Sequence, residues 1–312
     1  MQSSMSKGLK FFFIGLSLPI FLFVLNIFQG SLENYFYAQI SQPFQQIVEV
    51  KIPPKSQKPN LDLQVKAAIS VLVDSQGGER EKVLFEKNSN ERLPIASLTK
   101  LMTANIVLEN YDLSREIKIS EEAVAQEGGA GKLTAGKIFS VKYLLYPLLM
   151  ESSNDATYAL TNDYNGMTKE KFVELMNLKA GDLGLENTYF VNSTGLDPEQ
   201  PGNSINYSTA EDLVKLTKYL LKKSLIWEIL ATPKFSLYGP ELINTNGLLG
   251  EIPNIVGGKT GWEDKAGGCI LLVLKKDNNF IVNVILGTVS PEARFEEMQK
   301  LINYASEAKR GR

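Results

Sequence analysis

The sequence predicts an α+β fold in which a discontinuous sheet, supplied by both ends of the chain, carries an inserted helical subdomain. Three observations predict it. Strand-like runs sit near the start, at 65–74 and 81–88. They return near the end, at 254–261, 267–276 and 279–287. Between about 113 and 230 the apolar residues recur with helical spacing. Strands at both ends with helices between them make one sheet clothed by helices, with a cleft where the two parts meet.

Each element follows from its own residues. "VKAAISVLVD" and "EKVLFEKN" are strands joined by a turn holding Gly77 and Gly78. A helix is expected from about Ser97 to Asn110. "SVKYLLYPLL" and "TKEKFVELMNL" carry helical spacing, and "STAEDLVKLTKYLL" opens on a capping box, Ser208 to Glu211. "NIVGGKTG", "GGCILLVLKK" and "NFIVNVILG" are strands, with "KDNN" turning between the last two. A final helix runs from about Pro291 to Ala308, proline fitting its first turn.

The 312 residues allow one large domain or two small ones, and 44% apolar content is enough for a core. The net charge of −2 and the lack of a basic stripe argue against a nucleic-acid partner. The single cysteine, Cys269, excludes an intramolecular disulfide and lies in the apolar run "CILLVL", where a buried strand residue is expected. The chain has no histidine. Serine–histidine–aspartate, cysteine–histidine and histidine-ligated zinc chemistry are therefore excluded. A hydrolase built from this chain must use carboxylates, lysine or tyrosine.

The first 29 residues read as a signal-anchor. Phe11–Phe28 is almost wholly apolar, just long enough to span hydrocarbon, and Lys7 and Lys10 precede it. This orientation places the rest of the chain outside the cytoplasm. A cleaved signal peptide is the alternative, but Phe36 stands where a small residue is wanted. Residues 30–60, with "KIPPKSQKPN", read as an extended linker. Residues 61–312 are expected to form the folded domain, with the helical subdomain at about 113–230 inserted in it.

In "RLPIASLTKLMTA", Ser97 precedes Lys100 by three positions at a helix start. Residues three apart share a helix face, with Cβ atoms about 5–6 Å apart, so the lysine reaches the hydroxyl. A lysine made neutral by burial or nearby positive charge is a competent base. Alone the motif is weak, since Ser4 and Lys7 repeat the spacing and a capping serine beside a solvated lysine reads the same. Two further stretches add weight. "MESSNDATYAL" places Ser152 and Asn154 after an apolar helix. "GGKTGWEDKAGG" sets Lys259 and Thr260 among glycines at a strand start, where another backbone approaches closely. A charge and a hydroxyl on a sheet edge suit a peptide carboxylate lying along the strand.

In this order, S-x-x-K, S-x-N and K-T-G are the signature of penicillin-recognising serine enzymes. The chain resembles the serine-type D-alanyl-D-alanine carboxypeptidases, the low-molecular-mass penicillin-binding proteins, from about Val65 to Ala308. "SSNDA", "GLENTYFVNSTGLD" and "NTNGLL" extend the likeness. The resemblance implies an antiparallel β-lactamase/DD-peptidase-like sheet and needs no metal or organic cofactor. It implies that Ser97 attacks the penultimate D-alanine carbonyl, Lys100 takes its proton, and Ser152 relays a proton to the leaving amine. Asn154 would orient the substrate amide and hold the lysines. Lys259 and Thr260 would engage the terminal carboxylate or shape the field around it. The backbone N–H groups of Ser97 and Trp262, beside Gly261, would form the oxyanion hole. Arg294 would add a carboxylate contact. The implied partners are a peptidoglycan stem peptide ending in D-Ala-D-Ala and β-lactam antibiotics as covalent inhibitors.

Many relatives add an all-β domain and a C-terminal amphipathic helix. This chain ends at "EAKRGR", so neither is expected. "GLENTYFVN" does not match the E-x-x-L-N-type loop of serine β-lactamases, which favours a peptidase. A D,D-endopeptidase on crosslinks and a β-lactam sensor with little turnover are the alternatives.

Overall fold

A computed structural model describes residues 61–74, 81–128, 132–198, 200, 202, 204–236 and 241–307. The strands in chain order are β1 (Ala67–Asp74), β2 (Lys82–Lys87), β3 (Leu93–Pro94), β4 (Glu116–Lys118), β5 (Ile138–Ser140), β6 (Tyr207–Ser208), β7 (Lys234–Phe235), β8 (Leu242–Ile243), β9 (Ile255–Glu263), β10 (Gly267–Lys276) and β11 (Asn279–Thr288). Five of them form the main sheet in the order β2-β1-β11-β10-β9. Every pairing is antiparallel. Among the described residues the first two strands thus join the last three, as the distribution of strand-like runs predicts.

The run "CILLVL" serves two cores because side chains alternate across a strand. Leu271 and Val273 face the helical body with Cys269, whereas Ile270, Leu272 and Leu274 pack with Met298, Leu301 and Ile302 of the last helix. Both faces of the sheet are covered, which is why β10 and β11 read as nearly continuous apolar runs. Cys269 is fully buried, and burial pushes its thiol up to about 11, leaving it inert.

Three details differ from the sequence reading. The helical region also holds the short pair β4–β5, and its strand β6 pairs with β3 outside it; strands of two or three residues are too few to show an alternating pattern. The expected capping box shifts by one. Ser208 ends β6, and the Thr209 hydroxyl accepts from Asp212 N at 3.0 Å, capping the helix Ala210–Leu220. The last helix is regular from Ala293 to Glu307, with Pro291 in the preceding turn. The signal-anchor and linker expectations fall on residues outside the described ones. Among the described residues, no helix is long and apolar enough to cross a membrane.

Candidate active site

Ser97 lies in a single 3-10 turn, Ala96–Thr99, that runs straight into the helix Lys100–Asn110. Ala96, just before it, takes a left-handed backbone with φ of 46°. Such strain in a non-glycine residue costs about 1–3 kcal/mol and persists only where the surroundings enforce it. Gly195 presses on this turn from one side, where an added Cβ would lie 2.0 Å from Ala96 O. Gly261 of β9 presses from another, where a Cβ would lie 2.9 Å from Ser97 N. Glycine at 261 lets the sheet edge lie against the serine backbone.

Lys100 is completely buried. Its Nζ reaches Ser97 Oγ at 3.1 Å, Asn154 Oδ1 at 2.7 Å and Thr194 O at 2.7 Å. Burial lowers its pKa to about 7, against a smaller opposing pull from Glu263. The amide oxygen and the carbonyl can only accept. A neutral amine therefore spends both N–H bonds on them and turns its lone pair to the Ser97 hydroxyl.

Asn154 opens the helix Asn154–Asn162, capped by the Ser153 hydroxyl, which accepts from Ala156 N at 3.0 Å. Asn154 Nδ2 donates to Glu127 O at 2.6 Å, fixing Oδ1 toward Lys100. Ser152 sits between this helix and the apolar helix Val141–Met150, with φ of 62°. A residue in this conformation after a helix is usually glycine. Here it is a serine, and the bend aims the hydroxyl at Lys259.

Lys259 is also buried, and its Nζ donates to Ser152 Oγ at 2.9 Å and Thr260 O at 2.8 Å. Burial first, then the nearby charges of Lys100 and Arg294, hold its pKa well below the usual lysine range. Its nitrogen is thus engaged with Ser152, which favours a role in shaping the field over direct carboxylate contact. Asn154 touches Lys100 and has no hydrogen bond to Lys259. The Thr260 hydroxyl pairs with that of Thr245 at 2.7 Å, and Arg294 Nη1 donates to Gly261 O at 2.8 Å. Ser97, Ser152, Thr260, Trp262, Thr245 and Arg294 share a cavity of about 420 Å³.

All nine residues singled out in the sequence converge here. Sequence reasoning assigned no role to the Thr194 carbonyl, to Thr245 or to Gly195. "NSTGLD" and "NTNGLL" were visible, but a backbone acceptor and a paired hydroxyl have no residue-type signature.

A buried serine–lysine pair beside a second serine–lysine pair, on the edge of an antiparallel sheet, defines the penicillin-recognising class of serine hydrolases. The family described as D-alanyl-D-alanine carboxypeptidase matches residues 54–290, and the chain belongs to it. A D-alanyl-D-alanine carboxypeptidase of Bacillus subtilis, DacF, is 35% identical over 78% of this chain, and the match spans 63% of that protein. A D-alanyl-D-alanine endopeptidase of Pseudomonas aeruginosa is 31% identical over 81% of each chain. The structure of Penicillin-Binding Protein D2 from Listeria monocytogenes, solved with cefotaxime bound, superposes with a TM-score of 0.69 at 30% identity, covering 79% of this chain and 99% of that one.

Proposed function

We infer that the protein is a D-alanyl-D-alanine carboxypeptidase that trims peptidoglycan stem peptides and is acylated by β-lactams. The observation that carries this reading is Lys100, whose nitrogen meets two obligate acceptors and the Ser97 hydroxyl. Ser97 Oγ attacks the penultimate D-alanine carbonyl carbon while its proton passes to Lys100 Nζ. The oxyanion forms toward the N–H groups of Ser97 and Trp262, where charge develops and donors count most. The C–N bond breaks, and the departing D-alanine amine takes a proton through Ser152. Water then hydrolyses the Ser97 ester and releases the shortened peptide. Thr260, Thr245 and Arg294 line the same cavity, which supports placing the terminal carboxylate there.

The test is product analysis on a pentapeptide ending in D-Ala-D-Ala. Free D-alanine is the expected product. A stable acyl-Ser97 without turnover would overturn the reading in favour of a sensor. Exclusive cleavage of crosslinked dimers would favour the endopeptidase that the Pseudomonas relative is named for. The apolar run Phe11–Phe28 with its lysines supports a retained membrane anchor holding the catalytic domain outside the cytoplasm. N-terminal sequencing of the mature protein checks it. A start between Gly30 and Asn60 would mean cleavage and secretion.

A further inference from the structure

Hydrolysis of the acyl-enzyme needs a second proton acceptor. Lys100 spends its two N–H bonds on Asn154 Oδ1 and Thr194 O, and its lone pair faces Ser97 Oγ. Once Ser97 is acylated, that lone pair points at the ester oxygen. Water attacking the acyl carbon has to lose its proton to another group.

Strand geometry places one. Residues two apart leave a strand from the same face. Lys259 uses one face of β9 to reach Ser152, and a Cβ at Gly261, on that same face, would lie 2.9 Å from Ser97 N. Glu263 is next in the series, about 7 Å further along the strand. The pairing with β10 is regular over this stretch, from Lys259 opposite Leu271 to Glu263 opposite Gly267. The Glu263 side chain therefore starts from the face that packs on the nucleophile turn.

The loop on the other side of that turn fixes the carboxylate. Gly195 presses on Ala96 O, and two residues later Asp197 N donates to Glu263 Oε2 at 3.4 Å. Asp197 Oδ2 accepts in turn from Lys265 N at 3.0 Å, tying the loop to the hairpin after β9. Among the described residues this is the one hydrogen bond to the Glu263 carboxylate, so Oε1 is left over. Glu263 is half-buried and lines the catalytic cavity together with Ser97. Burial raises its carboxyl above the usual range. The bond from Asp197 N and the charge of Lys100 oppose that shift, and the charges of Asp197 and Asp264 add to it. The neighbouring carboxylates are placed for other work. Glu151 is buried beside Ser152, on the leaving-group side, with Oε1 bonded by Ile243 N at 3.0 Å. Asp264 is exposed beyond the end of the strand.

We propose that Glu263 is a further catalytic residue, the general base for the water that hydrolyses the Ser97 ester. The water oxygen bonds to the acyl carbon as Glu263 takes one of its protons. The bond from the acyl carbon to Oγ then breaks, and Glu263 returns that proton to Ser97 Oγ by way of Lys100. The shortened peptide leaves as a carboxylic acid that loses its proton to solvent. The role rests on the peptidase reading of the cavity.

The test is Glu263→Gln, which keeps an acceptor for Asp197 N and removes the base. The substrate is diacetylated Lys-D-Ala-D-Ala, with D-alanine followed after rapid quenching and acyl-Ser97 followed by intact mass. The variant is expected to release one equivalent of D-alanine in a burst, which also shows that its site is folded. Acyl-Ser97 should then accumulate, its hydrolysis slowed about 10²-fold or more. kcat/KM, set by acylation, should stay within a few-fold of the parent while kcat falls. Asp264→Asn, which removes the same charge one residue on, should turn over like the parent. Parental turnover in Glu263→Gln without accumulated acyl-enzyme overturns the role. So does loss of the burst along with turnover, because Glu263 would then serve the nucleophile, and so does equal slowing in Asp264→Asn. A parent that is itself acylated and never releases the peptide overturns the peptidase reading and the role with it, a result separate from failure in the variant alone.

Discussion

Two serine–lysine pairs meet at the cavity, and they are built differently. Ser97 and Lys100 are three residues apart on one turn, so local helix geometry brings them together. Ser152 and Lys259 are separated by 107 positions and meet only because the sheet edge docks on the helical body. Lys100 is held by one amide oxygen and one carbonyl besides its serine. Lys259 has one carbonyl besides its serine and two cationic neighbours that depress its pKa further. The local pair is arranged as a nucleophile with its base. The distant pair is arranged as a hydroxyl whose proton is controlled by a buried amine. A strained residue marks each, Ala96 before the first serine and Ser152 itself in the second.

The largest effect expected is at Ser97. Ser97→Ala should abolish covalent labelling by penicillin, read as the intact mass after incubation. Labelling that persists would assign the nucleophile to the other pair. Lys100→Met comes next, removing the base while keeping the volume. The second-order acylation rate should fall about 10²–10⁴-fold, the range for loss of a general base. Circular dichroism should show a folded protein, with some stability lost because Asn154 Oδ1 and Thr194 O lose their donor. Ser152→Ala should act on the leaving group, lowering D-alanine release by about 10²-fold, with Ser97 still labelled by penicillin. Equal loss in every step would mean that the second pair only supports the first.

The difference between the pairs also decides how much the sequence reveals. Ser97 and Lys100 are legible because their spacing is the helix period, and the missing histidine forces attention onto lysine. Lys259, Thr260 and Gly261 are legible through their glycines, which the close approach to Ser97 N explains. That Lys259 serves Ser152 is not legible, since only the packed fold sets which buried donor meets which acceptor. The same holds for the Thr194 carbonyl, a backbone group with no side-chain signature, and for Thr245. The five-stranded sheet is legible because its strands are long and patterned. The short strands β3 to β6 are not, because tertiary pairing rather than propensity makes them.

Gly195 sharpens the point that the local pair still depends on distant backbone. Its φ is 89°, and an added Cβ would meet Ala96 O at 2.0 Å. Gly195→Ala should cost about 1–3 kcal/mol, lowering Tm by about 2–4 °C per kcal/mol in a domain of this size. Thermal unfolding followed by circular dichroism measures it. An unchanged Tm would mean that the loop moves freely off the nucleophile turn.

The central claim is that neutral Lys100 takes the Ser97 proton, and the pH dependence of penicillin acylation tests it most directly. Burial places the Lys100 pKa at about 7. Below that value the amine is protonated and has no lone pair, so the rate should fall in acid. Above it the rate should rise and level off. Lys100→Met should lose that rise along with most of its rate. A wild-type rate that stays flat through neutrality, or an unchanged inflection in Lys100→Met, would contradict the account.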